Sequence, residues 1–215
     1  MLGALQTLLA RIYDIAPSHA IDDFLLTDRA RLPPAAEVNP AEEQVFVAER
    51  DGALCITLFL DAGLLQRLAD ANPLQSLHAG NLADFWTALE GVSHFLCLAW
   101  HAASDRPVTL LELELQGEID KYMASLWLLR RQNAGRFPAE LYPVLFERTT
   151  IDPERAGNRL ELYRQASAYA ARFCRGLNPA LRSSERTARM AGVAELRRFY
   201  RLTRHQKYRR IAAIT

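Results

Sequence analysis

Cysteine is scarce: the chain has three in 215 residues, Cys55, Cys97 and Cys174, odd in number, far apart and set in apolar stretches. Neither a disulfide framework nor a paired-thiolate zinc site can be built from them, so they read as buried free thiols of a cytoplasmic protein. Lysine is scarcer still. Lys121 and Lys207 are the only two among 26 Lys and Arg residues, a bacterial-like arginine bias. Long apolar runs are missing. Phe95–Trp100 is closed by His101, well short of the roughly 18 residues a membrane span needs, which argues against a membrane partner. Met1–Ala10 is apolar but has no basic residue ahead of it, and Arg11 and Asp14 follow at helical spacing. A helix is expected there rather than a signal peptide.

Catalytic signatures are lacking too. With no Gly-x-Ser-x-Gly there is no nucleophile elbow, and with neither Gly-x-x-x-x-Gly-Lys nor Gly-x-Gly-x-x-Gly there is no phosphate loop or dinucleotide fingerprint. His-Glu-x-x-His and paired Glu-x-x-His, the helical metal signatures, are also absent, as are ribonucleoprotein, KH-type and zinc-knuckle sequences.

What is present is globular. Half the residues are hydrophobic and 24% charged, which excludes a disordered chain. A chain of this length buries about 70% of its unfolded surface, so one compact domain over residues 1–215 is expected. Charge divides it. Residues 1–151 carry 11 Lys and Arg against 20 Asp and Glu, net −9, whereas residues 152–215 carry 15 against 5, net +10. An acidic body is followed by a basic C-terminal region.

Periodicity predicts a mainly α fold, a helical bundle carrying a small antiparallel β-hairpin at about residues 44–60. Leu2, Leu5, Leu8, Leu9, Ile12 and Ile15 predict a first helix, and Ser18 can cap a second from His19 to Leu26. Arg29 to Pro40, with three prolines, reads as a loop. Gln44–Arg50 and Ala53–Leu60 are β-rich and flank Asp51-Gly52, a strong hairpin signal. Helices are expected from Asp61 to Asp70 and from Asn81 to Ala103. Leu111–Leu115 alternates as a strand would, but Thr109 with Glu112 makes a capping box and Leu111, Leu115, Ile119, Tyr122, Leu126 and Leu129 share one stripe, so a helix over 110–131 is expected. Further helices are expected from Pro138 to Arg148, from Pro153 to Arg175, where Gly176, Asn178 and Pro179 end it, and, capped by Ser183 or Ser184, to about Leu202. A last one starts at the Thr203/Gln206 capping box.

Two constellations could carry function. Glu90, His94, Cys97 and His101 stand four, three and four apart, along one face of one helix. Imidazole with carboxylate suits a divalent metal, with Glu90, His94 and His101 as candidate ligands, or an acid/base couple completed by Glu114 and Glu118 from a neighbouring helix. The competing reading is a helix-surface ion pair, with Glu112, Glu114, Glu118 and Asp120 forming a solvated acidic face.

The second constellation is arginine. Arg186, Arg189, Arg197, Arg201 and Arg204 recur at helical spacing, beside a stripe of Met190, Val193, Leu196 and Tyr200. Guanidinium forks fit phosphate, and nearby aromatics can stack on bases. The sequence therefore points first to a binding or adaptor protein whose basic helices engage nucleic acid or an acidic protein surface. An enzyme with a divalent metal or acid/base site at Glu90, His94, Glu114 and Glu118 is the alternative. Inward docking of the basic helices on acidic parts of the chain competes with the first reading.

Overall fold

The computed structural model describes residues 1–32 and 41–214. The fold is mainly α, 65% helical, with eight helices and a small three-stranded mixed sheet among the described residues. The chain divides into two compact units, Met1–Leu8 with Ala16–Pro107 and Leu9–Ile15 with Val108–Thr215. The boundary falls inside the first helix, α1 (Leu2–Tyr13).

The first unit is built on the hairpin. Strands β2 (Glu43–Arg50) and β3 (Ala53–Leu60) pair antiparallel from Glu43↔Leu60 to Arg50↔Ala53. Asp51 and Gly52 both take positive φ, 52° and 75°, as the turn demands: aspartate tolerates that region and glycine occupies it without strain. A third strand, β1 (Leu25–Leu26), pairs parallel to β3, giving the order β1-β3-β2. The helix expected from His19 to Leu26 is therefore corrected to a 3-10 turn, Ile21–Phe24, running into that strand. The open edge of β3 supplies backbone partners that local periodicity cannot register. Residues 33–40 of the expected proline-rich loop lie outside the described residues.

Helix α2 (Ala62–Asp70) starts where Asp61 accepts from the Gly63 amide at 2.8 Å. It packs on α3 (Leu82–Ala102), which lies against β2 and β3. Asn81 does not cap α3 with its side chain. It accepts from the His78 amide and donates to the carbonyls of Ala71 and Ser76, fixing the preceding loop. Leu58, Phe59, Leu60, Phe85, Leu89 and Val92 are fully buried, so the sheet–helix interface is the core of this unit.

The second unit is all helix. α4 (Leu110–Gln132) opens with the expected capping box, Thr109 and Glu112 bonding reciprocally. Pro138–Arg148 is corrected to a short helical turn that becomes a π-helix over Pro143–Glu147. After α5 (Pro153–Ala156) and a 3-10 turn, α6 (Leu160–Arg182) runs seven residues past its expected end, through Pro179. Proline removes one amide donor, and the carbonyl it would have bonded belongs to Arg175, an exposed residue where water can substitute. α6 packs against α4, α7 (Arg186–Arg201) and α8 (Arg204–Ala212), the last opened by the Thr203/Gln206 capping box.

The interior of this unit holds ionisable groups in neutral form. The Tyr13 hydroxyl donates to Asp120 in a short hydrogen bond, and Gln116 Nε2 donates to both at 2.9 Å. Burial, then the Asp120 charge, raises the Tyr13 hydroxyl well above its ordinary range. Burial likewise raises Tyr122, which donates to Asn178, and the Cys174 thiol, with Glu118 and Asp120 adding to the latter. Such groups keep their protons in the fold and lose them once unfolded, so their stabilisation is complete below the unfolded values, about 8.5 for Cys and 10 for Tyr, and is lost as pH rises above them. Denaturant unfolding of this unit should be flat from pH 7 to 8 and fall steadily towards pH 10.5. Cys174→Ala should remove the lower part of the fall, and an identical profile in that variant would contradict the assignment.

Candidate functional site

Glu90 and His94 are one turn apart on α3, and the hairpin brings a third donor to them. Glu43, first residue of β2, places a carboxylate oxygen 3.9 Å from His94 Nδ1. One ligand atom from each of Glu43, Glu90 and His94 lies within 4.8 Å of the other two. His94 is buried, while Glu43 and Glu90 are partly exposed, so the cluster opens to solvent on its carboxylate side.

Gly91 makes this convergence possible. A Cβ built there would stand 2.7 Å from Leu58 Cδ1, 3.0 Å from Glu43 Cγ and 3.2 Å from Glu43 Oε1. Glycine inside a helix costs about 1 kcal/mol relative to alanine, so its use in the middle of α3 needs a packing reason. The reason is that the Leu58 side chain and the aliphatic stem of Glu43 together occupy the space of the missing methyl group. That sets the carboxylate beside Glu90 and His94. A second tie holds the same strand end: Arg67 on α2 bonds Glu42 at 3.0 Å and Asp84 at 2.8 and 3.0 Å, joining the residue before β2 to the first turn of α3.

His101 is buried two turns along α3, its Nδ1 at 2.9 Å from the Cys97 carbonyl and 3.5 Å from Cys97 Sγ. Glu114 and Glu118 are on α4 in the second unit, where Glu114 is buried and Glu118 bonds Lys121 at 2.9 Å. The solvated acidic face expected around them is corrected: Glu112, Glu114 and Asp120 are all buried. Glu112 closes the helix cap and Asp120 serves Tyr13 and Gln116, partners far away in sequence.

The arginines divide into two groups. Arg197 donates to the carbonyls of Ile12 and Arg11, both at 3.0 Å, and Arg201 to those of Tyr13 and Asp14 at 3.0 and 2.8 Å. These four acceptors form the C-terminal end of α1, so two guanidinium forks close a helix terminus that lacks intrahelical donors. Arg189 bonds Ser183 and Ser184 carbonyls, and Arg210 bonds Glu195 at 2.5 Å. Arg186 and Arg204 are exposed, as are Arg198 and Arg209.

Chemically, two carboxylate oxygens and one imidazole nitrogen form a mixed donor set able to hold a divalent ion or to pass a proton between Glu and His. Among the described residues no helix is long and apolar enough to cross a membrane. No protein-family model, curated protein or solved structure matches this chain.

Proposed function

We propose that the first unit is a divalent-metal centre held by Glu43, Glu90 and His94, and that the protein is a metal-dependent enzyme whose ion activates a water molecule. The carrying observation is the convergence of the three donor atoms within 4.8 Å over a glycine that leaves room for it. Ligand atoms of a tetrahedral zinc ion, with bonds of about 2.0–2.1 Å, stand roughly 3.4 Å apart, so the 3.9 Å between His94 Nδ1 and Glu43 closes with a side-chain adjustment of about half an ångström. Three protein donors leave a fourth position for water, the arrangement that catalytic zinc sites keep open. Electrostatics favours the same occupant, because two half-buried carboxylates held together gain from a shared cation. Three free thiols support a reducing, cytoplasmic setting; Cys97 and Cys174 are buried as expected, whereas Cys55 is exposed rather than buried.

Elemental analysis and calorimetric titration of purified protein with Zn²⁺ should give one ion per chain, removed by chelator and lost in Glu43→Gln and in His94→Ala. Substoichiometric metal, or unchanged binding in both variants, would reject this reading and leave a Glu–His proton couple.

A further inference from the structure

We infer that the exposed arginines of α7 and α8 form a docking surface for the phosphate backbone of a nucleic acid, independent of the carboxylate–histidine cluster. Nine Lys and Arg residues stand between Arg186 and Ala212 against a single acidic residue, Glu195. The structure separates those that hold the fold together from those that do not. Arg189, Arg197 and Arg201 are bonded to backbone carbonyls, Arg210 neutralises Glu195, and Lys207 is buried beside the Phe199 ring. Arg186, Arg198, Arg204 and Arg209 remain exposed, and among the described residues none of them has a hydrogen-bond or ion-pair partner.

Their arrangement suits a linear polyanion. Arg186, Met190, Ala194, Arg198 and Arg201 follow at intervals of three and four along α7 and share its exposed face. Twelve residues separate Arg186 from Arg198, about 18 Å along the helix. The Arg210–Glu195 ion pair ties α8 to α7, so Arg204 and Arg209 extend the same charged region, and it neutralises the single acidic residue within those two helices.

Guanidinium is the fitting donor for phosphate oxygens, which accept its fork in pairs. A membrane surface is disfavoured, because anchoring an interfacial helix requires large apolar side chains and this face offers Met190 alone as a large exposed one. Acidic protein surfaces could use the same charge, and they form an arm of the test. Phosphate contact supplies affinity without sequence readout, and no base-reading element is implied.

The full-length protein should bind a fluorescein-labelled 20-base-pair mixed-sequence duplex in anisotropy titrations. Four phosphate contacts give a log–log salt slope near −3.6, so affinity should fall about 50-fold between 50 and 150 mM salt. Arg198→Glu/Arg204→Glu should lower affinity at least 10-fold and flatten the slope by about two, with an unchanged circular dichroism melt. Poly-glutamate and phosphatidylserine vesicles should not compete at equal charge concentration. Absence of duplex binding, an unaltered slope in the folded variant, or equal competition by poly-glutamate or by vesicles would each overturn the inference.

Discussion

Arg197→Ala/Arg201→Ala should lower the melting temperature of the second unit by about 5–12 °C, whereas Arg198→Ala, one position away, should leave it within about 1 °C. The difference follows from what each guanidinium touches. Arg197 and Arg201 donate four hydrogen bonds to the carbonyls of Arg11, Ile12, Tyr13 and Asp14. A charged donor on a carbonyl contributes about 1 kcal/mol once partial exposure is allowed for, so the pair contributes roughly 2–4 kcal/mol. Removing them leaves the end of α1 without donors, next to the buried Tyr13 ring stacked on Tyr200 at 4.2 Å. Arg198 is exposed and has no hydrogen-bond acceptor among the described residues. The measurement is thermal unfolding by circular dichroism at equal ionic strength; equal melting temperatures in the two variants would show that the carbonyl clamp contributes nothing.

Gly91→Ala should weaken Zn²⁺ binding by about 10- to 100-fold, the range seen when a supporting group around a metal site is disturbed. The new methyl group would meet Leu58 at 2.7 Å and the stem of Glu43 at 3.0 Å. Leu58, fully buried between sheet and helix, must shift to clear the 2.7 Å contact, and the stem of Glu43 at 3.0 Å must give by a few tenths of an ångström, which displaces its carboxylate. Helix propensity favours the variant by about 1 kcal/mol and overpacking opposes it by about 1–3 kcal/mol, so stability should fall by about 0–2 kcal/mol while the ligand moves. Calorimetric titration beside a denaturant melt separates the two effects. Wild-type affinity in a variant that melts normally would show that Glu43 does not depend on the space over Gly91.

The local features were legible in the sequence because their causes are local. Asp51-Gly52 set the turn, Thr109/Glu112 and Thr203/Gln206 set two helix starts, and the four-residue step from Glu90 to His94 put both on one face of α3. What escaped depends on residues far apart in the chain. Glu43 reaches His94 from a strand 51 positions earlier, and only the combination of hairpin register and mid-helix glycine reveals it. The phrase Glu90-Gly-Val-Ser-His-Phe carried the available signal: a glycine inside an otherwise strong helix marks a close approach, though not by what. Arg197 and Arg201 read as a surface stripe because the α1 carbonyls they hold lie more than 180 residues away and are backbone atoms, which no side-chain pattern encodes. Pro179 read as a terminator because the penalty of proline is local, while the packing that carries α6 past it is not.

The vacancy over Gly91 also links two positions in descent. A lineage that replaces the glycine loses the room Glu43 requires, and one that loses Glu43 no longer gains from keeping a poor helix former at 91. The two should therefore be inherited together or exchanged together, glycine with glutamate or alanine with a shorter residue. Position 94 should keep histidine only in the first of these pairings.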